Sequence, residues 1–560
     1  MSESLKSAKK VLLSSVFGPY CQDDEYGSRK MNPMELYHNQ VTRGQGPFSL
    51  RMFHRSWGLM LIQANTEASC ILLDFPTLDR FIEEISTKRY DIIGISSIIP
   101  NILKVKKMCE LIRQHQPWAQ IVIGGHIANM SDLNRQIGNA IVVKGDGVSW
   151  FRKYLGEDTA RPIRHPVVKS GINPHAAGMD LKGEIAATII PSVGCPIGCN
   201  FCSTSAMFGG KGHSVKFYET GDELFSIMDQ VSRQMNVQSF FMMDENFLFD
   251  RKRALRLLEL MEEDNKAWSL YVFTSANVLR LYTIDELIRL GISWVWMGIE
   301  GQNSQYAKLS NIDTFELVRE LQSNGIRVLG STIIGLENHA PDNMDEVIDY
   351  AVRHNTDFHQ FMLYTPIPGT PLYSEILDQG RLKDDGEYNH GDIHGQLMLN
   401  YRHPMISDTQ AAKYMEEAFQ RDFETNGPSI ARIARTTLMG WQSHKNHPNP
   451  RVRHRFEFDA RGLATRFSAL AGGAAYWYRN NPAMYDKMSY LANQLYIEFG
   501  LKSYLASNLG GLLVWWKIYK EEEHLAKGQT YEPPTFYECN SAAVERPDVP
   551  LCGSVIPLLF

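Results

Sequence analysis

The chain of 560 residues contains few cysteines and no long apolar run. Its 8 cysteines are too sparse for the disulfide framework of a small secreted domain, and this favours a reducing compartment. The uncharged stretches Phe467–Tyr478 and Ser503–Trp516 are shorter than the roughly 20 apolar residues that cross a bilayer. These stretches can still lie on a membrane surface or line an apolar pocket.

The sequence also lacks a strong excess of one charge. A net charge of −6 offers no overall attraction to nucleic acid, so we expect no nucleic acid as the main partner. The first residues carry only the short apolar run Val11-Leu12-Leu13, unlike a secretory signal, so we expect a cytoplasmic protein. The length and the hydrophobic content of 44% predict a folded chain of two or three domains.

Residues 1–160 alternate apolar runs with helical patterns, which predicts an α/β fold with an N-terminal doubly wound, Rossmann-like parallel sheet. The apolar runs are Val11–Leu13, Cys70–Leu73, Ile92–Ile95, Ile121–Ile123 and Ile141–Val143. Loops after three of these strands should meet at one edge, where open α/β sheets bind ligands. These loops are Ser96-Ser97, Gly124-Gly125-His126 and Gly145-Asp146-Gly147. For each glycine, a tight turn with positive φ is the alternative interpretation.

Residues 161–183 are predicted as a linker, and a second alternating series fills residues 184–382. Its predicted strands are Ala187–Pro191, Ser239–Met243, Leu270–Ser275, Trp294–Ile299, Val328–Ile334 and Phe358–Tyr364. Six β/α units predict a partial (β/α)6 barrel with its functional groups at the carboxyl ends of the strands. Helical patterns dominate residues 383–560, so we expect a mainly helical C-terminal substrate or accessory unit. Its arginines and tryptophans indicate either an ordinary surface and core or a site for anionic head groups.

The segment Cys195-Pro-Ile-Gly-Cys199-Asn-Phe-Cys202 places three thiols directly after a predicted strand. Thiolates are the natural ligands of iron–sulfur clusters. A structural zinc site would require four ligands, commonly from a second cysteine pair, and no such pair follows in the sequence. Three protein ligands to a four-iron cluster leave one iron open to the amine and carboxylate of a substrate.

This Cys-x3-Cys-x2-Cys spacing, with Phe201 before the last cysteine, resembles the radical S-adenosylmethionine (SAM) superfamily. The resemblance implies that Cys195, Cys199 and Cys202 bind a 4Fe-4S cluster. It continues in order along the chain and implies that further residues contact SAM. Asp244, Glu245 and Asn246 resemble the turn near the methionine amine, Gly298 and Glu300 the fourth-strand segment near the ribose, and Gly335 the fifth-strand glycine near the adenine.

The segment Thr365–Tyr373, Thr-Pro-Ile-Pro-Gly-Thr-Pro-Leu-Tyr, is similar to the branch that carries an N-terminal cobalamin (B12)-binding domain. The resemblance covers roughly residues 10–382 and implies a bound cobalamin. The implied contacts are Ser96, Ser97, Gly124, Gly125, His126, Gly145, Asp146 and Gly147. The chain departs from many cobalamin proteins because it lacks their Asp-x-His-x-x-Gly motif, and neither His54 nor His126 matches it.

The resemblance implies an enzyme that cleaves SAM reductively and, with cobalamin, methylates an unactivated carbon. A first alternative is an enzyme of the same architecture that couples, cyclises or rearranges its substrate without methyl transfer. A second is a non-enzymatic corrinoid or cluster sensor. We expect a small-molecule or lipid-like substrate, an electron donor such as flavodoxin or ferredoxin, and peripheral contact with a membrane. No residue is assigned as a catalytic acid or base.

Overall fold

The computed structural model describes residues 9–18, 25–26, 40–170, 172–180, 186–300, 312–384, 386–529 and 531–540. The fold is α/β, with two mainly parallel sheets and a helical C-terminal region, as the sequence predicts. Among the described helices, none combines the length and apolar character needed to cross a membrane.

The first sheet contains six strands, of which all but one are parallel. Their spatial order is Phe536–Cys539, Ser69–Asp74, Lys10–Ser14, Ile92–Ser96, Gln120–Gly124 and Ile141–Val142. The helices around this sheet are Trp57–Ala64, Leu78–Thr87, Ile102–His115, Leu133–Ile137 and Gly147–Leu155. Both faces are buried: Leu12 and Leu13 belong to different hydrophobic clusters, which explains the continuously apolar strands. The order of the strands reverses beside Lys10–Ser14, where open α/β sheets bind ligands.

The second sheet has six parallel strands arranged in chain order. They are Ala187–Ile189, Ser239–Met242, Ser269–Phe273, Ile292–Gly298, Arg327–Ile334 and Phe358–Leu363. The main helices that follow them are Gly221–Met235, Arg251–Glu263, Ile284–Arg289, Thr314–Ser323, Met344–Arg353 and Pro371–Asp378. Alternate strand residues such as Met242, Val272 and Val295 are buried in the cluster that packs the sheet against these helices. This arrangement brings the carboxyl ends of all six strands to one edge.

The sequence also explains where several of these helices begin. The side chains of Thr220 and Thr283 each accept a hydrogen bond from the backbone N–H three residues later, and the carboxylates of Glu223 and Glu286 accept one from the backbone N–H of the threonine. Such capping boxes satisfy backbone N–H groups that have no partner inside the helix. The helices therefore begin directly after the preceding loops.

Part of the predicted linker forms strands. Ile172–Ala176 pairs antiparallel with both Arg51–Phe53 and Met179–Asp180 in a sheet of three strands. The sequence analysis missed these strands for two reasons. Prolines and glycines surround the segment, and its partner strand Arg51–Phe53 lies far away in the sequence. Of the predicted linker, residue 171 and residues 181–183 lie outside the described part of the chain.

Helices dominate the region after residue 400. They are Asp408–Asn426, Ser429–His444, Pro450–Ala460, Ser468–Trp477, Pro482–Phe499, Leu501–Leu505 and Gly511–Ala526. Two π-helical turns, Leu463–Phe467 and Ala506–Gly510, join neighbouring helices in this series. The predicted helical C-terminal region is therefore confirmed.

The C-terminal region also contributes one strand to the first sheet. Phe536–Cys539 pairs antiparallel with Ser69–Asp74, and the side chain of Arg55 donates to Glu538 at 2.7 Å. The amide of Gln63 donates to the Glu538 carbonyl at 2.9 Å. The C-terminal region is thus attached to the first sheet and does not form a fully separate unit, a feature that the sequence analysis missed.

Candidate functional site

The three cysteines of the predicted cluster motif lie on one tightly folded loop after the first strand of the second sheet. Gly194 and Gly198 in this loop have φ of +87° and +69°. A Cβ at Gly198 would lie 2.5 Å from the Cα of Lys211, so a side chain there would force the loop apart. The Cys202 N–H donates to the Cys199 carbonyl at 3.1 Å, and the Gly212 N–H donates to the Pro196 carbonyl at 2.8 Å. The backbone thereby fixes the path of the loop.

Cys195, Cys199 and Cys202 are partly buried thiols that form no disulfide bond. Burial, followed by the neighbouring charges of Cys199 and Glu245, raises the pKa of Cys202 to about 11. Burial also raises the pKa of Cys195, which interacts with Cys199 and accepts a hydrogen bond from Asn246. The thiol of Cys202 accepts a hydrogen bond from the Ser205 N–H at 3.5 Å. Three thiols outside any disulfide that lie within electrostatic reach of one another on one loop fit a shared iron–sulfur cluster. Among the described residues, no three His, Cys, Asp or Glu side chains are grouped to hold a single metal ion.

The acidic turn after the second strand contacts the cysteine loop. Asp244 is buried, accepts from Arg253 Nη2 at 2.6 Å and from the Asn246 N–H at 3.1 Å, and is also hydrogen-bonded to Ser192. Its oxygens are therefore occupied by the protein. Glu245 accepts a hydrogen bond from Gly194, but its Oε2 is buried with no partner among the described residues. Burial, followed by the charge of Asp244, raises the pKa of Glu245 to about 8.

Asn246 completes the acidic turn and is fixed by neighbouring side chains. Its amide donates to Ser275 Oγ at 3.3 Å, and its carbonyl oxygen accepts from Thr274 Oγ1 at 3.1 Å. Ser192, Thr274 and Arg253 thus hold the turn beside the cysteines, leaving Glu245 as the acidic residue with an unused acceptor. The sequence analysis did not identify these three supporting residues, because their side chains meet the turn only after folding.

Of the other residues predicted to contact SAM, Gly298 and Glu300 lie at the end of the fourth strand of the second sheet, and Phe201 lies on the cysteine loop itself. Gly298 ends its strand, and the N–H of Glu300, which is buried at a φ of +55°, donates to the Ser331 carbonyl at 3.2 Å. Phe201 packs edge-on against Tyr364 with ring centroids 6.2 Å apart. The structure therefore brings the predicted residues of four separate segments to one edge.

Gly335 occupies a turn, with a φ of +82°, directly after the fifth strand of the second sheet. His339 Nδ1 accepts hydrogen bonds from the N–H groups of Gly335 and Leu336 at 3.1 and 3.3 Å. Tyr401 donates to the Gly335 carbonyl at 3.2 Å. Burial, followed by the charge of His403, lowers the pKa of His339 to about 4, so the ring is neutral at pH 7 and can accept both bonds. His339 and Tyr401 were not predicted from the sequence.

A cavity of about 260 Å³ lies at the carboxyl edge of the first sheet. Six of the eight residues predicted to contact cobalamin line it, namely Ser96, Gly124, Gly125, Gly145, Asp146 and Gly147. A Cβ at Gly124 or Gly145 would meet no atom closer than 3.8 Å, so space is open beside both glycines. A mostly apolar cavity bordered by exposed backbone fits close approach of a large planar ligand.

The other predicted cobalamin contacts are placed differently. Ser97 and His126 are not among the residues that line the cavity, and neither is His54. The Asp146 carboxylate accepts from the N–H groups of Val148 and Ser149 and so caps the helix Gly147–Leu155. His126 contacts Ser203 Oγ at 3.3 Å, and burial lowers its pKa to about 4. No histidine is present among the described residues of the cavity wall.

The cavity and the cysteine loop are adjacent. One wall of the cavity is formed by residues on either side of the cysteine loop, opposite the glycines of the first sheet. They are Val193, just before the loop, and Met207 and Phe208, at the end of the short helix that follows it. Close to this wall, Asn129 from the first α/β unit donates to the Ser203 carbonyl at 3.3 Å. The two predicted cofactor sites are thus built against each other.

The segment His390–Asn400 is a further polar feature that the sequence analysis missed. Several of its buried polar atoms have no hydrogen-bond partner in the described structure, including both ring nitrogens of His394, Gln396 Oε1 and Asn400 Oδ1. Burial, followed by the charge of Arg43, lowers the pKa of His394 to about 4. Such atoms usually bind water or a ligand, because a buried polar group without a partner is costly. The segment has no hydrophobic periodicity that would have revealed its burial.

Comparison with protein families assigns each of the two α/β units to a known domain family. Residues 189–351 match the radical SAM superfamily model, and residues 50–155 match the B12 binding domain model. The chain therefore contains a radical SAM domain and a B12-binding domain, and this confirms the predicted family resemblance. The two domains imply a 4Fe-4S cluster, SAM and cobalamin as cofactors, in agreement with the cysteine loop and the adjoining cavity.

Individual relatives extend this comparison. The chain is 28% identical over 227 residues to the bacteriochlorophyllide d C-12(1)-methyltransferase of Chlorobaculum tepidum, covering 39% of this chain and 47% of that protein. It is 25% identical over 303 residues to the hopanoid C-2 methylase of Rhodopseudomonas palustris, covering 50% of this chain and 56% of that protein. The chain thus spans about half the length of these curated relatives.

A solved structure shows a similar fold. The radical SAM methyltransferase TsrM from Kitasatospora setae, with cobalamin and a 4Fe-4S cluster bound, aligns with a TM-score of 0.50 at 15% identity. The alignment covers 81% of this chain and 99% of that protein. At this identity the likeness concerns the fold, which again combines parallel sheets with a helical region.

Proposed function

We propose that the protein is a cobalamin-dependent radical SAM enzyme that methylates an unactivated carbon of its substrate. The observation that carries the proposal is the shared wall between the two cofactor sites. Val193 and Met207, which flank the cysteine loop, face Gly124 and Gly145 across one cavity. A cluster on that loop and a corrinoid in that cavity would be neighbours, as a methyl transfer that uses both requires.

Within this proposal, the second sheet is the partial (β/α)6 barrel, and the domains follow the predicted limits. These are a cobalamin-binding unit at residues 1–160, a linker at 161–183, the barrel at 184–382 and the C-terminal unit at 383–560. The chain-order arrangement of six parallel strands supports the barrel. The functional residues then lie at the carboxyl ends of the strands, where such folds bind their ligands.

Each site residue has a proposed task. Cys195, Cys199 and Cys202 hold the cluster, and Glu245 offers its free oxygen to the amine of SAM. Gly298 and Glu300 border the ribose, Gly335 the adenine, and Phe201 packs beside the cluster. Asp244 and Asn246 act by positioning Glu245, since their own polar atoms are engaged by Arg253, Thr274 and Ser275.

When bound, the cofactors would supply the difficult chemistry. Reductive cleavage of one SAM would give methionine and a radical that takes a hydrogen atom from the substrate and becomes 5′-deoxyadenosine. Cobalamin, remethylated by a second SAM that leaves as S-adenosylhomocysteine, would supply the methyl group. The chain orients these groups and excludes water from them. Gly124, Gly145 and Gly147 leave room for the corrinoid, while the apolar wall of Val193 and Phe208 keeps the space between the two sites dry. No side chain is assigned as a catalytic acid or base.

We propose that the substrate is a small or lipid-like molecule that contacts the C-terminal unit. The segment His390–Asn400 supports this, because some of its buried polar atoms, including both ring nitrogens of His394, have no hydrogen-bond partner among the described residues. A neutral His394 can exchange hydrogen bonds with a hydroxyl or carbonyl group of a substrate. The proposal includes a reducing donor such as flavodoxin or ferredoxin, and a cytoplasmic protein with peripheral contact to a membrane.

The test uses oxygen-free, reconstituted protein with SAM that carries a deuterated methyl group. With candidate apolar substrates and lipid extracts, we expect a product that retains the labelled methyl group, together with S-adenosylhomocysteine and 5′-deoxyadenosine. A product without the label would support coupling, cyclisation or rearrangement instead. If no substrate or reductant yields 5′-deoxyadenosine, the sensor hypothesis replaces the enzyme.

A variant separates the substrate contact from SAM cleavage. His394→Leu should retain SAM cleavage and lose most of the methylated product, because it removes hydrogen bonds to the substrate alone. The matched control is His454→Leu, at a largely exposed histidine, which should retain both reactions. Full product formation by His394→Leu would contradict the proposed contact.

A further inference from the structure

The helical segments Pro482–Phe499 and Leu501–Ala526 follow each other along the chain and are here called the C-terminal hairpin. The outer face of this hairpin carries an exposed row of leucines. Leu501, Leu505, Leu509, Leu512 and Leu513, here called the leucine stripe, recur every few residues along Leu501–Ala526. Leu501 and Leu509 are each 69% exposed and Leu513 is 60% exposed. Regular spacing on one side of a helical segment makes this a continuous apolar surface.

The opposite side of the same helical segment faces the protein and is less hydrophobic. It presents Ser503, Gly511, Val514 and Ile518, all of which are buried. A Cβ at Gly473, on the neighbouring helix Ser468–Trp477, would lie 2.8 Å from the Gly511 carbonyl, so the two helices approach closely through small residues. A surface helix normally turns its large apolar residues towards the core. Here Val514 and Ile518 do pack inward, but five leucines point outward, which indicates a surface built to meet another apolar phase.

Aromatic side chains border the leucine stripe. Trp516 is 46% exposed and Tyr519 is 45% exposed, one and two turns after the leucines. On the other side, Tyr504 meets Tyr496 of the helix Pro482–Phe499, with ring centroids 5.7 Å apart. Tryptophan and tyrosine are the residues enriched where hydrocarbon meets the head-group layer of a membrane.

The charged residues within the leucine stripe are basic, whereas the acidic residues Glu498 and Glu521–Glu523 lie just outside it, and Glu523 pairs with Lys520 at 2.7 Å. From Leu501 to Lys520 the chain has three lysines, Lys502, Lys517 and Lys520, and no acidic residue. Lys517 lies 5.3 Å from the ring of Trp516, beside the aromatic border. Leucines in the centre, aromatics beside them and lysines at the margin form the pattern of a helix that lies in the surface of an anionic membrane.

We propose that the hairpin from Tyr490 to Lys520 docks the protein on an anionic lipid bilayer, with the leucine stripe inserted between the head groups. This deepens the peripheral membrane contact of the proposed function and identifies the surface that makes it. A second copy of the chain fits this surface less well. In a two-fold dimer the same patch would face itself and oppose lysines with lysines, whereas an anionic bilayer supplies the opposite charge.

The test measures flotation of the full-length, cofactor-loaded protein with vesicles and needs no turnover. We expect binding to vesicles of phosphatidylcholine with about one-third phosphatidylglycerol, and at least tenfold weaker binding to phosphatidylcholine alone, because the lysines lose their attraction to anionic head groups. Salt should weaken the binding. Failure to bind anionic vesicles would overturn the docking proposal, while formation of 5′-deoxyadenosine by the same sample tests the proposed function separately.

Variants then locate the surface. Leu509→Glu with Leu513→Glu should reduce binding at least tenfold, with 5′-deoxyadenosine formation unchanged. The matched control is Leu281→Glu with Leu377→Glu, two leucines outside the hairpin that are 61% and 54% exposed. Equal loss in both double variants, or no loss in the first, would overturn the assignment. A dimer that the first double variant converts to a monomer, without any vesicle binding by the wild-type protein, would also overturn it.

Discussion

Substitution of Arg253 by leucine should loosen the acidic turn beside the cysteine loop. Arg253 and Asp244 form a 2.6 Å ion pair in which the side chains are only 2% and 5% exposed. Leucine would leave the Asp244 carboxylate buried without its cation, a change that costs about 3–5 kcal/mol. The Tyr218 carbonyl would also lose its hydrogen bond from Arg253. Because Glu245 follows Asp244 directly, SAM cleavage should fall together with local stability.

Hydrogen exchange measures this change locally, which suits a chain with several domains. In the cofactor-loaded Arg253→Leu variant, amides of Ser239–Met242 and Arg251–Glu263 should exchange on the order of 100-fold faster, since 1.4 kcal/mol corresponds to a factor of about ten. Arg256→Leu is the matched control, because that arginine pairs with carboxylates at the surface and should change little.

A second comparison tests the physical reason for the effect. Adding Asp244→Asn to Arg253→Leu removes the stranded charge and should restore much of the lost protection. Exchange rates within about threefold of the wild-type rates in the single Arg253 variant would refute the reasoning, as would equal effects at Arg253 and Arg256.

Three further predictions concern the loop, the cavity and pH. Gly198→Ala should lower the iron content of the purified protein, since its Cβ would lie 2.5 Å from Lys211 Cα at a positive φ; normal iron loading would contradict the described loop. Gly124→Val should weaken corrinoid binding at least tenfold by filling the cavity, whereas Gly386→Val, at an open surface position, should not; equal affinities would argue against the cavity. Burial lowers the pKa of His354 to about 4 and of His359 to about 3 in the folded protein. Between roughly pH 6.5 and 4 the unfolded chain therefore binds more protons than the folded chain, and this favours unfolding. The unfolding temperature should therefore fall as the pH is lowered from 7 to 5, and a temperature that rises would contradict the neutral state of these rings.

The sequence predicted much of the architecture because both sheets are buried on two faces, which leaves apolar runs that alternate with amphipathic helices. The predicted strand Phe358–Tyr364 begins at the same residue in the structure and ends one residue earlier. The cysteine spacing is a local pattern and could be recognised directly. The individual SAM and cobalamin contacts and the domain limits stay predictions.

The features that the sequence did not reveal depend on contacts between distant segments. Phe536–Cys539 becomes a strand only because Ser69–Asp74 presents a free edge. Arg253 belongs to an ordinary amphipathic helix, and nothing in that pattern shows that its side chain turns inward to Asp244. The outward direction of the leucine stripe was equally hidden, since hydrophobic spacing alone indicates a buried face.

The central claim is that Cys195, Cys199 and Cys202 hold an iron–sulfur cluster beside a corrinoid site. The most direct measurement is the iron, sulfide and corrinoid content of protein prepared without oxygen, for the wild type and for the variant with all three cysteines changed to alanine. We predict about four irons and four sulfides with one corrinoid in the wild type, and loss of iron and sulfide with retained corrinoid in the variant. Unchanged iron and sulfide in the variant, or a wild-type protein that takes up neither iron nor corrinoid, would contradict the account.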